Sequence, residues 1–192
     1  MRELSLHLLD IAENSISAGA SRIVISVRED LVADELWLEV VDNGKGMSPE
    51  MVANVLDPFV TTRTTRRVGL GIPLLKQAAE ACVGFLTVES ELGKGTKLTA
   101  KFQHSHIDRM PLGNLEDTII TLLLGTPAVN WVFKYQFNDQ SFEFDDTEFK
   151  EALGDLPLSD FRVIEFLSNT ISDGITNTKI ITTEEGVLYA NH

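Results

Sequence analysis

The sequence predicts an α/β protein built in two parts, and three observations lead to this prediction. Segments with helical periodicity alternate with short β-branched runs between residues 4 and 102. The 192 residues are 43% hydrophobic and 23% charged, as in globular proteins. The charge balance changes near residue 106: residues 1–106 carry 11 Lys and Arg against 14 Asp and Glu, whereas residues 107–192 carry 5 against 15. We therefore expect a first domain over 1–106 and a small acidic α+β domain over 107–192.

Composition also excludes several classes of protein. The net charge of −13 argues against general binding to nucleic acid or to an anionic membrane. The sequence contains no apolar run long enough to cross a bilayer, and its first residues do not resemble a signal peptide. The one cysteine, Cys82, excludes an intrachain disulfide and is typical of a core residue in a reducing compartment. We expect a cytoplasmic protein.

The first predicted element is an amphipathic helix over residues 4–18. Its apolar face is opposite a stripe of four polar side chains, namely His7, Asp10, Asn14 and Ser17. Asp10 and Asn14 are four residues apart and could together hold a metal ion or a water molecule. A solvated face is the alternative explanation of the stripe.

Two strands follow, over residues 21–28 and 36–42, with a polar connection at 29–35. The second strand runs into Asp42 to Met47, which has the sequence Asp-Asn-Gly-Lys-Gly-Met. The carboxylate at the strand end is a fixed acceptor, and Gly44 and Gly46 allow the backbone to approach a flat ligand closely. The same hexapeptide is also compatible with an ordinary turn.

The remainder of the first half continues the alternation of helix and strand. Ser48 and Pro49 begin a short helix, and residues 56–67 form a loop rich in Thr and Arg, which suit phosphate. Residues 69–71 open the next helix, Ile72 to Ala81, whose N-terminal N–H groups also suit phosphate. Strands are then predicted over residues 84–90 and 96–102, joined by a glycine turn.

Taken in order, five segments resemble the sequence boxes of the GHKL ATPase superfamily, which includes sensor histidine kinases, DNA gyrase B subunits, mismatch-repair ATPases and heat-shock chaperone ATPases. The segments are the N box at 10–20, the first glycine box at 42–47, the F box at 57–59, the second glycine box at 68–72 and the third at 93–96. The resemblance covers residues 4–102. It implies a two-layer α/β sandwich of GHKL type, in which helices cover one face of a mixed sheet.

The resemblance also implies an ATP site. Asp42 would accept a hydrogen bond from the exocyclic amine of adenine, and Asn14 would coordinate Mg²⁺ on the phosphates. The other nucleotide-binding residues that it implies are Gly44, Gly46, Met47, Phe59, Thr61, Thr62, Gly69, Leu70, Gly71 and Thr96. Which lid arginine (Arg63, Arg66 or Arg67) contacts phosphate stays open.

The sequence departs from the family pattern in three ways. Asp10 stands where hydrolysing members carry a general-base Glu, and its side chain is shorter by one methylene. Arg67 occupies the usual place of a glycine. No helical hairpin with a phosphoacceptor His precedes the N box, so we expect a stand-alone ATP-binding domain. His104, His106 and His192 are expected at the surface.

The acidic half predicts an α-β-β-α-α unit without a catalytic constellation. Helices are expected over 115–124, 147–153 and 159–173, capped by Asn114, Thr147 and Ser159. A hairpin over 128–137 and 141–145 turns at residues 138–139, and residues 179–183 suit a strand. The aromatic residues expected to be buried are Trp131, Phe133, Phe137, Phe142, Phe149, Phe161 and Phe166.

Two classes of function fit these observations. The first is a signalling kinase that transfers phosphate from ATP to a separate protein partner, contacted through the acidic half, with Asp10 as the catalytic candidate and weak intrinsic ATPase activity. The second is a non-catalytic ATP-gated binding switch; a mismatch-repair-type ATPase is a third possibility. The expected cofactors are ATP and Mg²⁺, without nucleic-acid or membrane partners. The oligomeric state stays open, a homodimer included.

Overall fold

The computed structural model describes residues 3–57, 71–154, 156–183 and 186–189, with the backbone alone for 181–183 and 186–189. Its helices are α1 (Leu4–Ser17), α2 (Pro49–Val55), α3 (Gly71–Ala81), α4 (Leu115–Gly125), α5 (Asp146–Leu153) and α6 (Phe161–Thr178). Its strands are β1 (Arg22–Asp30), β2 (Glu35–Asp42), β3 (Phe85–Glu91), β4 (Gly95–Gln103), β5 (Asn130–Phe137), β6 (Gln140–Asp145), β7 (Ile180–Thr183) and β8 (Gly186–Tyr189). None of the helices in these ranges has both the length and the hydrophobicity that crossing a bilayer requires.

Six strands form one mixed sheet in the order β3-β4-β2-β1-β5-β6. Neighbouring strands are antiparallel except β1 and β5, which run parallel with Ile23 opposite Trp131. The hairpin of β7 and β8 forms a separate two-stranded sheet. The parallel pair requires a long crossover, because parallel neighbours cannot be joined by a tight turn.

The two faces of the six-stranded sheet differ in polarity. Alternate residues of β1 and β2 are buried, and α1, α3 and α6 pack over this apolar face. The opposite face carries cross-strand ion pairs, among them Lys97 with Glu39 at 2.8 Å and Lys134 with Glu143 at 3.0 Å. This confirms the predicted two-layer sandwich, since the period of two along each strand sends apolar and polar side chains to opposite faces.

Most elements of the first half are where the sequence predicts them. Ser48 caps α2 by accepting a hydrogen bond from the Met51 N–H at 3.3 Å, and Cys82 is buried. The predicted polar connection at 29–35 is too long, because β1 continues to Asp30. Glu29 is therefore a strand residue with only 6% of its surface exposed.

The β5–β6 hairpin of the second half does not form a sheet of its own. Strands β5 and β6 extend the first-half sheet, and the hydrophobic core contains residues from both sides of residue 106. The sequence of β5 explains this, because Trp131, Val132 and Phe133 are consecutive and all buried. A strand that is apolar on both faces suits the interior of a sheet rather than an exposed hairpin.

The segment between the halves is tied to the start of α1. The N–H groups of Leu4 and Ser5 donate to the carbonyl oxygens of Pro111 and Leu112, at 3.0 and 2.8 Å. These bonds satisfy donors that a helix leaves unpaired in its first turn. Two apolar residues of this segment, Met110 and Leu112, pack against the core.

Two predicted caps and two predicted core residues in the second half are wrong. Asp145 rather than Thr147 caps α5, and Asp160 rather than Ser159 caps α6. Phe161 and Phe166 are 74% and 57% exposed. Periodicity did not reveal this, because α6 buries the stripe of Val163, Leu167 and Ile171 instead. Trp131, Phe133 and Phe137 are buried as predicted, and Phe142 and Phe149 are partly buried.

Candidate functional site

A cavity of about 240 Å³ lies between α1, α2 and the ends of β2 and β4. Its walls are mostly apolar, and its polar groups come from the end of α1, the turn after β2 and the start of β4. The lining residues are Ile11, Asn14, Ser15, Ser17, Ala18, Val40, Asp42, Lys45, Gly46, Met47, Met51, Asn54, Val55, Ile72, Val88, Thr96 and Leu98. An apolar cleft with a few convergent polar groups is typical of a small-molecule site.

Asp42 is the buried charge of this cavity. It ends β2 and is only 8% exposed. The Ser15 hydroxyl donates to Oδ2 at 2.7 Å, and the Gly44 N–H donates to Oδ1 at 2.8 Å. These two bonds fix the carboxylate plane and compensate for its burial. A carboxylate oxygen can accept a further hydrogen bond, so Asp42 can still receive a donor from a ligand in the cavity.

The turn after β2 packs against the β3–β4 turn rather than leaving open space. Gly46 has φ +64°, and a Cβ at this position would lie 1.9 Å from the Glu91 carbonyl oxygen. Ser90 connects the two turns: its hydroxyl accepts from the Met47 N–H at 2.8 Å and donates to the Gly95 carbonyl at 2.8 Å. Gly46 is thus needed for contact between turns as well as for approach to a ligand.

The third glycine box brings Thr96 beside Asp42. The two residues are opposite each other in the β2–β4 ladder. The Thr96 hydroxyl is 2.9 Å from the Ser90 hydroxyl, which holds it in place. A ligand donor at Asp42 would therefore meet a carboxylate and a hydroxyl side by side.

Asn14 and Asp10 lie on α1 at different places relative to the cavity. Asn14 is exposed and lines the cavity. Asp10 is partly buried and lies against the start of α3, where a Cβ on Gly71 would be 3.1 Å from its Oδ2. Among the described residues no group of three His, Cys, Asp or Glu side chains could hold a metal ion. Asn14 would thus supply one oxygen ligand, with phosphate and water completing the shell, a pattern typical of Mg²⁺.

His7 is buried next to the same helix start. It is 2% exposed. Burial lowers its pKa, and this outweighs the negative charge of Asp10 and a hydrogen bond to the Gly71 backbone, both of which raise the pKa. The imidazole is therefore neutral near pH 7.

The structure brings together five of the predicted nucleotide residues in the cavity wall, namely Asn14, Asp42, Gly46, Met47 and Thr96. Gly44 stands behind them as a donor to Asp42. Asp10 and Gly71 lie together at the start of α3. The predicted residues Phe59, Thr61, Thr62, Gly69 and Leu70, and the arginines Arg63, Arg66 and Arg67, lie outside the described residues.

Sequence reasoning missed Ser15 and Ser90. Ser15 lies on the apolar face of the predicted helix, and in the structure it is only 4% exposed. A hydroxyl that is buried in this way requires a hydrogen-bond partner. A serine on an apolar helix face was therefore the available signal in the sequence. Its partner is Asp42, whose Oδ2 lies 2.7 Å from the Ser15 hydroxyl. Ser90 had no such signal, because its role depends on two turns that meet only in the folded chain.

Comparison with known proteins identifies the family. Residues 2–106 match the family described as histidine kinase-, DNA gyrase B-, and HSP90-like ATPase. The chain belongs to this ATPase family. The match contains Asn14, Asp42 and Thr96, so the cavity lies within the family domain.

Individual relatives of this ATPase family member come from two branches. An NtrY-like sensor histidine kinase of Rickettsia conorii is 28% identical over 111 residues, which cover 56% of this chain and 18% of that protein. The DNA mismatch repair protein MutL of Lactococcus lactis is 35% identical over 103 residues, which cover 48% of this chain and 15% of that protein. The chain therefore spans less than a fifth of either relative.

One solved structure resembles the chain over nearly its whole length. The N-terminal domain of a DNA repair protein aligns with a TM-score of 0.50 and 13% identity, covering 95% of this chain and 60% of that one. At this identity the likeness concerns the fold alone. It includes the second half, in agreement with the shared six-stranded sheet.

Proposed function

We propose that this ATPase family member binds Mg-ATP in the cavity at Asp42 and transfers the γ-phosphoryl group to a separate protein partner. The observation that supports nucleotide binding is the carboxylate of Asp42, buried in an apolar cavity and held by Ser15 and Gly44. Adenine presents an exocyclic amine as a donor, whereas guanine presents a carbonyl oxygen at the same position. A fixed acceptor therefore favours adenine.

Other groups in and around the cavity suit the other parts of the nucleotide. Apolar residues such as Ile72, Val88 and Leu98 offer walls for the base. Asn14 offers an oxygen to Mg²⁺ at the cavity rim. The N-terminus of α3, which begins at Gly71, offers N–H groups and a positive dipole end to the phosphates.

Phosphotransfer is supported by the kind of relatives, and Asp10 is the candidate base for it. In the proposed step an oxygen or nitrogen of the partner attacks the γ-phosphorus, the bond to the β–γ bridging oxygen breaks, and ADP leaves. Asp10 lies against the start of α3, where the phosphates would bind, and could accept the proton of the attacking group. A sensor histidine kinase and a sporulation kinase are among the relatives, which supports this proposal.

The alternative function is an ATP-gated switch without phosphotransfer. The length of Asp10 favours this alternative, because its side chain is one methylene shorter than the general-base Glu of hydrolysing family members. A base that falls about 1 Å short can lose about a hundredfold in rate. Nucleotide binding would then act by changing the surface shown to a partner.

We propose further that residues 1–106 carry nucleotide binding and residues 107–192 carry contact with the partner. The acidic half has 15 Asp and Glu against 5 Lys and Arg, which favours a basic partner surface. A contact there can influence the site, because α4 packs against α1.

Substitution of Asp42 tests nucleotide binding. Asp42→Asn keeps the shape but removes the charged acceptor, so we expect a loss of about 1.5–3 kcal/mol, more than tenfold in affinity. Titration calorimetry with Mg-ATP measures this, with Mg-GTP as the specificity test. Asp139→Asn is the matched control, since Asp139 is exposed in the β5–β6 turn. Unchanged ATP affinity in Asp42→Asn would remove the basis of the proposal.

Labelled ATP separates the kinase from the switch. Purified protein is incubated with γ-labelled ATP and a lysate of the source cells. A protein that is labelled in the presence of wild type but not in the presence of Asp42→Asn supports phosphotransfer. An unlabelled partner that is retained by the protein only when ATP is present supports the switch.

A further inference from the structure

Two phenylalanine rings are stacked at the surface of the second half, outside the nucleotide cavity. Phe166 of α6 lies on Phe149 of α5, with ring centroids 5.7 Å apart and ring planes 3° apart. Phe149 also packs against the core, whereas 57% of Phe166 is exposed. Neither residue lines the cavity that contains Asp42. The core therefore supports one ring, and the other ring presents its outer face to solvent.

Two further apolar side chains are exposed near this pair in the sequence. Leu156, in the connection between α5 and α6, is 50% exposed, and Phe161, the first residue of α6, is 74% exposed. Exposed apolar residues that are scattered singly are normal, whereas a group of them is typical of an interaction site. We call Phe149, Leu156, Phe161 and Phe166 the aromatic surface.

The helices that carry the aromatic surface are strongly acidic. Residues 146–178 contain seven Asp and Glu against two Lys and Arg. Both cations are paired within the chain, Lys150 with Asp146 at 2.6 Å and Arg162 with Asp160 at 3.0 Å. The surface of α5 and α6 therefore has an excess of carboxylates.

Four of these carboxylates are exposed and have no ion-pair partner in the part of the chain that the structure describes, namely Glu148, Glu151, Glu165 and Asp173. Glu148 directly precedes Phe149, and Glu165 directly precedes Phe166. Glu165 also lies one helical turn after Phe161, on the same side of α6. The aromatic surface is thus flanked by negative charge, which attracts a cationic partner.

The kind of backbone at this surface limits how a partner can bind. A partner that adds a strand needs an unpaired strand edge, whereas the stacked rings lie on helices whose backbone bonds are internal. Recognition therefore depends on side chains. An amphipathic helix suits this, since its apolar residues at i, i+3, i+4 and i+7 form one face and its charged residues flank that face.

We propose that the aromatic surface is the docking site for a basic amphipathic helix of the partner protein. The outer face of Phe166 receives an apolar side chain of that helix, and Lys or Arg side chains beside it pair with Glu148 and Glu165. The role of the partner rests on the proposed function, which assigns partner contact to residues 107–192. The docking itself requires no nucleotide.

A second copy of this chain is the competing occupant. Self-association through the aromatic surface would bring two sets of the same exposed carboxylates together. Like charges that face each other across an interface oppose binding. A basic partner gains from the same charges, so the charge of α5 and α6 favours the partner over a second copy.

Selection from a random displayed peptide library tests the chemistry of the occupant without assuming its identity. Peptides of about 16 residues, roughly four helical turns, are selected on the full chain. Peptides that also bind the double variant Phe161→Ser/Phe166→Ser are removed. The remaining sequences should be rich in Lys and Arg, with apolar residues at helical spacing. Acidic or uncharged sequences, or no enrichment over the double variant, would overturn the proposal.

A titration with a defined probe measures the contribution of each group. The probe is a fluorescein-labelled peptide with Leu at i, i+3, i+4 and i+7 and Lys at its other positions, and fluorescence anisotropy gives its Kd. Phe166→Ser should weaken binding at least about tenfold, because an aromatic anchor at the centre of an interface contributes strongly. The double variant Glu148→Gln/Glu165→Gln should weaken binding about threefold or more at low salt. High salt should reduce that difference, because salt screens exposed charges.

Two control variants show whether the effect belongs to this surface. Val32→Ser removes a 92% exposed apolar side chain from the β1–β2 connection, and Asp139→Asn removes an exposed carboxylate from the β5–β6 turn. Each should leave the Kd within about twofold of wild type. Phe161→Ser is a second test, because a side chain at 74% exposure contributes little to the fold. Wild-type affinity in the folded Phe161→Ser and Phe166→Ser variants would overturn the proposal.

Two measurements separate this proposal from its alternatives. In sedimentation equilibrium, a wild-type dimer that dissociates in Phe166→Ser would assign the surface to a second copy and overturn the proposal. In calorimetry, Phe166→Ser should bind Mg-ATP as wild type does, because Phe166 lies outside the cavity. If wild type binds no Mg-ATP but the peptide results hold, the proposed nucleotide chemistry fails and the docking surface stands. If wild type binds Mg-ATP but not the peptide, the docking surface alone fails.

Discussion

The hydroxyl of Ser15 and the N–H of Gly44 hold the Asp42 carboxylate in a fixed orientation. Ser15 and Gly44 each occupy one oxygen of the carboxylate, at 2.7 and 2.8 Å. Without them a charge at 8% exposure in an apolar cavity would be unfavourable. The two donors therefore make an ionised acceptor available to a ligand. Ser15 thus helps to orient the carboxylate on which the proposed adenine contact depends.

Asp10 gives a prediction about turnover. Its Oδ2 lies 3.1 Å from the place of a Cβ on Gly71, so it already reaches the start of α3. Proton transfer to a well-placed base contributes about 10²–10⁴-fold, and a shortfall of about 1 Å loses much of this. We expect turnover of purified wild type below about one per minute, and a higher rate in Asp10→Glu.

Phosphate release at saturating Mg-ATP measures both rates. Glu13→Gln serves as the control, because it changes an exposed carboxylate next to Asn14. Rapid hydrolysis by wild type, or slower hydrolysis by Asp10→Glu, would show that the shorter side chain is already the better base.

At the level of elements, α1 connects the site with the rest of the molecule. Its inner face is in the core through Leu4, Leu8 and Ile11, and its end carries Asn14 and Ser15 into the cavity. Its first N–H groups are bound by the segment that leads into the second half. The position of the site therefore depends on packing at both ends of one helix.

The contact between the β2–α2 turn and the β3–β4 turn gives a second prediction. Gly46 and Gly93 both have positive φ, +64° and +79°. A Cβ on Gly46 would lie 1.9 Å from the Glu91 carbonyl oxygen, whereas a Cβ on Gly93 would meet nothing within 4 Å. Gly93→Ala should cost about 1–2 kcal/mol for its backbone conformation alone. Gly46→Ala should cost about 1–3 kcal/mol more, because the turns must move apart.

Urea unfolding of the two variants measures the difference. Gly46→Ala should also weaken ATP binding, since the next residue, Met47, lines the cavity and donates to Ser90. Gly93→Ala should leave ATP affinity unchanged. Equal losses of stability in both variants would show that the close approach of the turns contributes little.

For the whole molecule, the sequence predicted the order of the elements up to β7 but not β8 (Gly186–Tyr189), and it did not predict all of the strand pairing. The first-half strands and turns follow from local patterns of alternation and glycine placement, and α4 follows from Asn114 and its apolar run. The parallel pairing of β1 with β5 joins residues more than a hundred positions apart. No local pattern specifies such a partner, and the change in net charge at residue 106 carries no information about the sheet that strands of both halves share.

The same long-range pairing explains why buried polar residues were misplaced. Glu29 was assigned to a polar connection and His104 to the surface, yet both are buried and in contact, with Nε2 of His104 2.9 Å from Oε2 of Glu29. The partners of Glu29 come from distant segments: Tyr135 on β5 donates at 2.5 Å, and Lys179 after α6 lies at 3.3 Å. A residue whose partners lie that far along the chain gives no signal in its own neighbourhood.

This cluster predicts how stability depends on pH. Burial would raise the pKa of Glu29, but the hydrogen bonds from Tyr135 and His104 and the charge of Lys179 together lower it. A carboxyl group with a lowered pKa in the folded state stabilises the protein above its unfolded pKa, about 4.3 for Glu, and this contribution disappears as the pH falls through the folded value. We expect Glu29→Gln to lose about 1–3 kcal/mol at pH 7.

Urea unfolding of wild type and Glu29→Gln between pH 7 and acid conditions measures this contribution. The two curves should be well separated at pH 7 and converge only as the pH falls below the unfolded pKa of Glu and through the lowered pKa of Glu29 in the folded state, where the wild-type carboxyl becomes protonated as well. Glu143→Gln is the matched control, since it removes an exposed ion pair with Lys134 and should change stability by less than about 1 kcal/mol. A gap between wild type and Glu29→Gln that stays constant with pH would assign the loss to packing. A gap that closes would show that the charge of Glu29, held by His104, Tyr135 and Lys179, stabilises the folded protein.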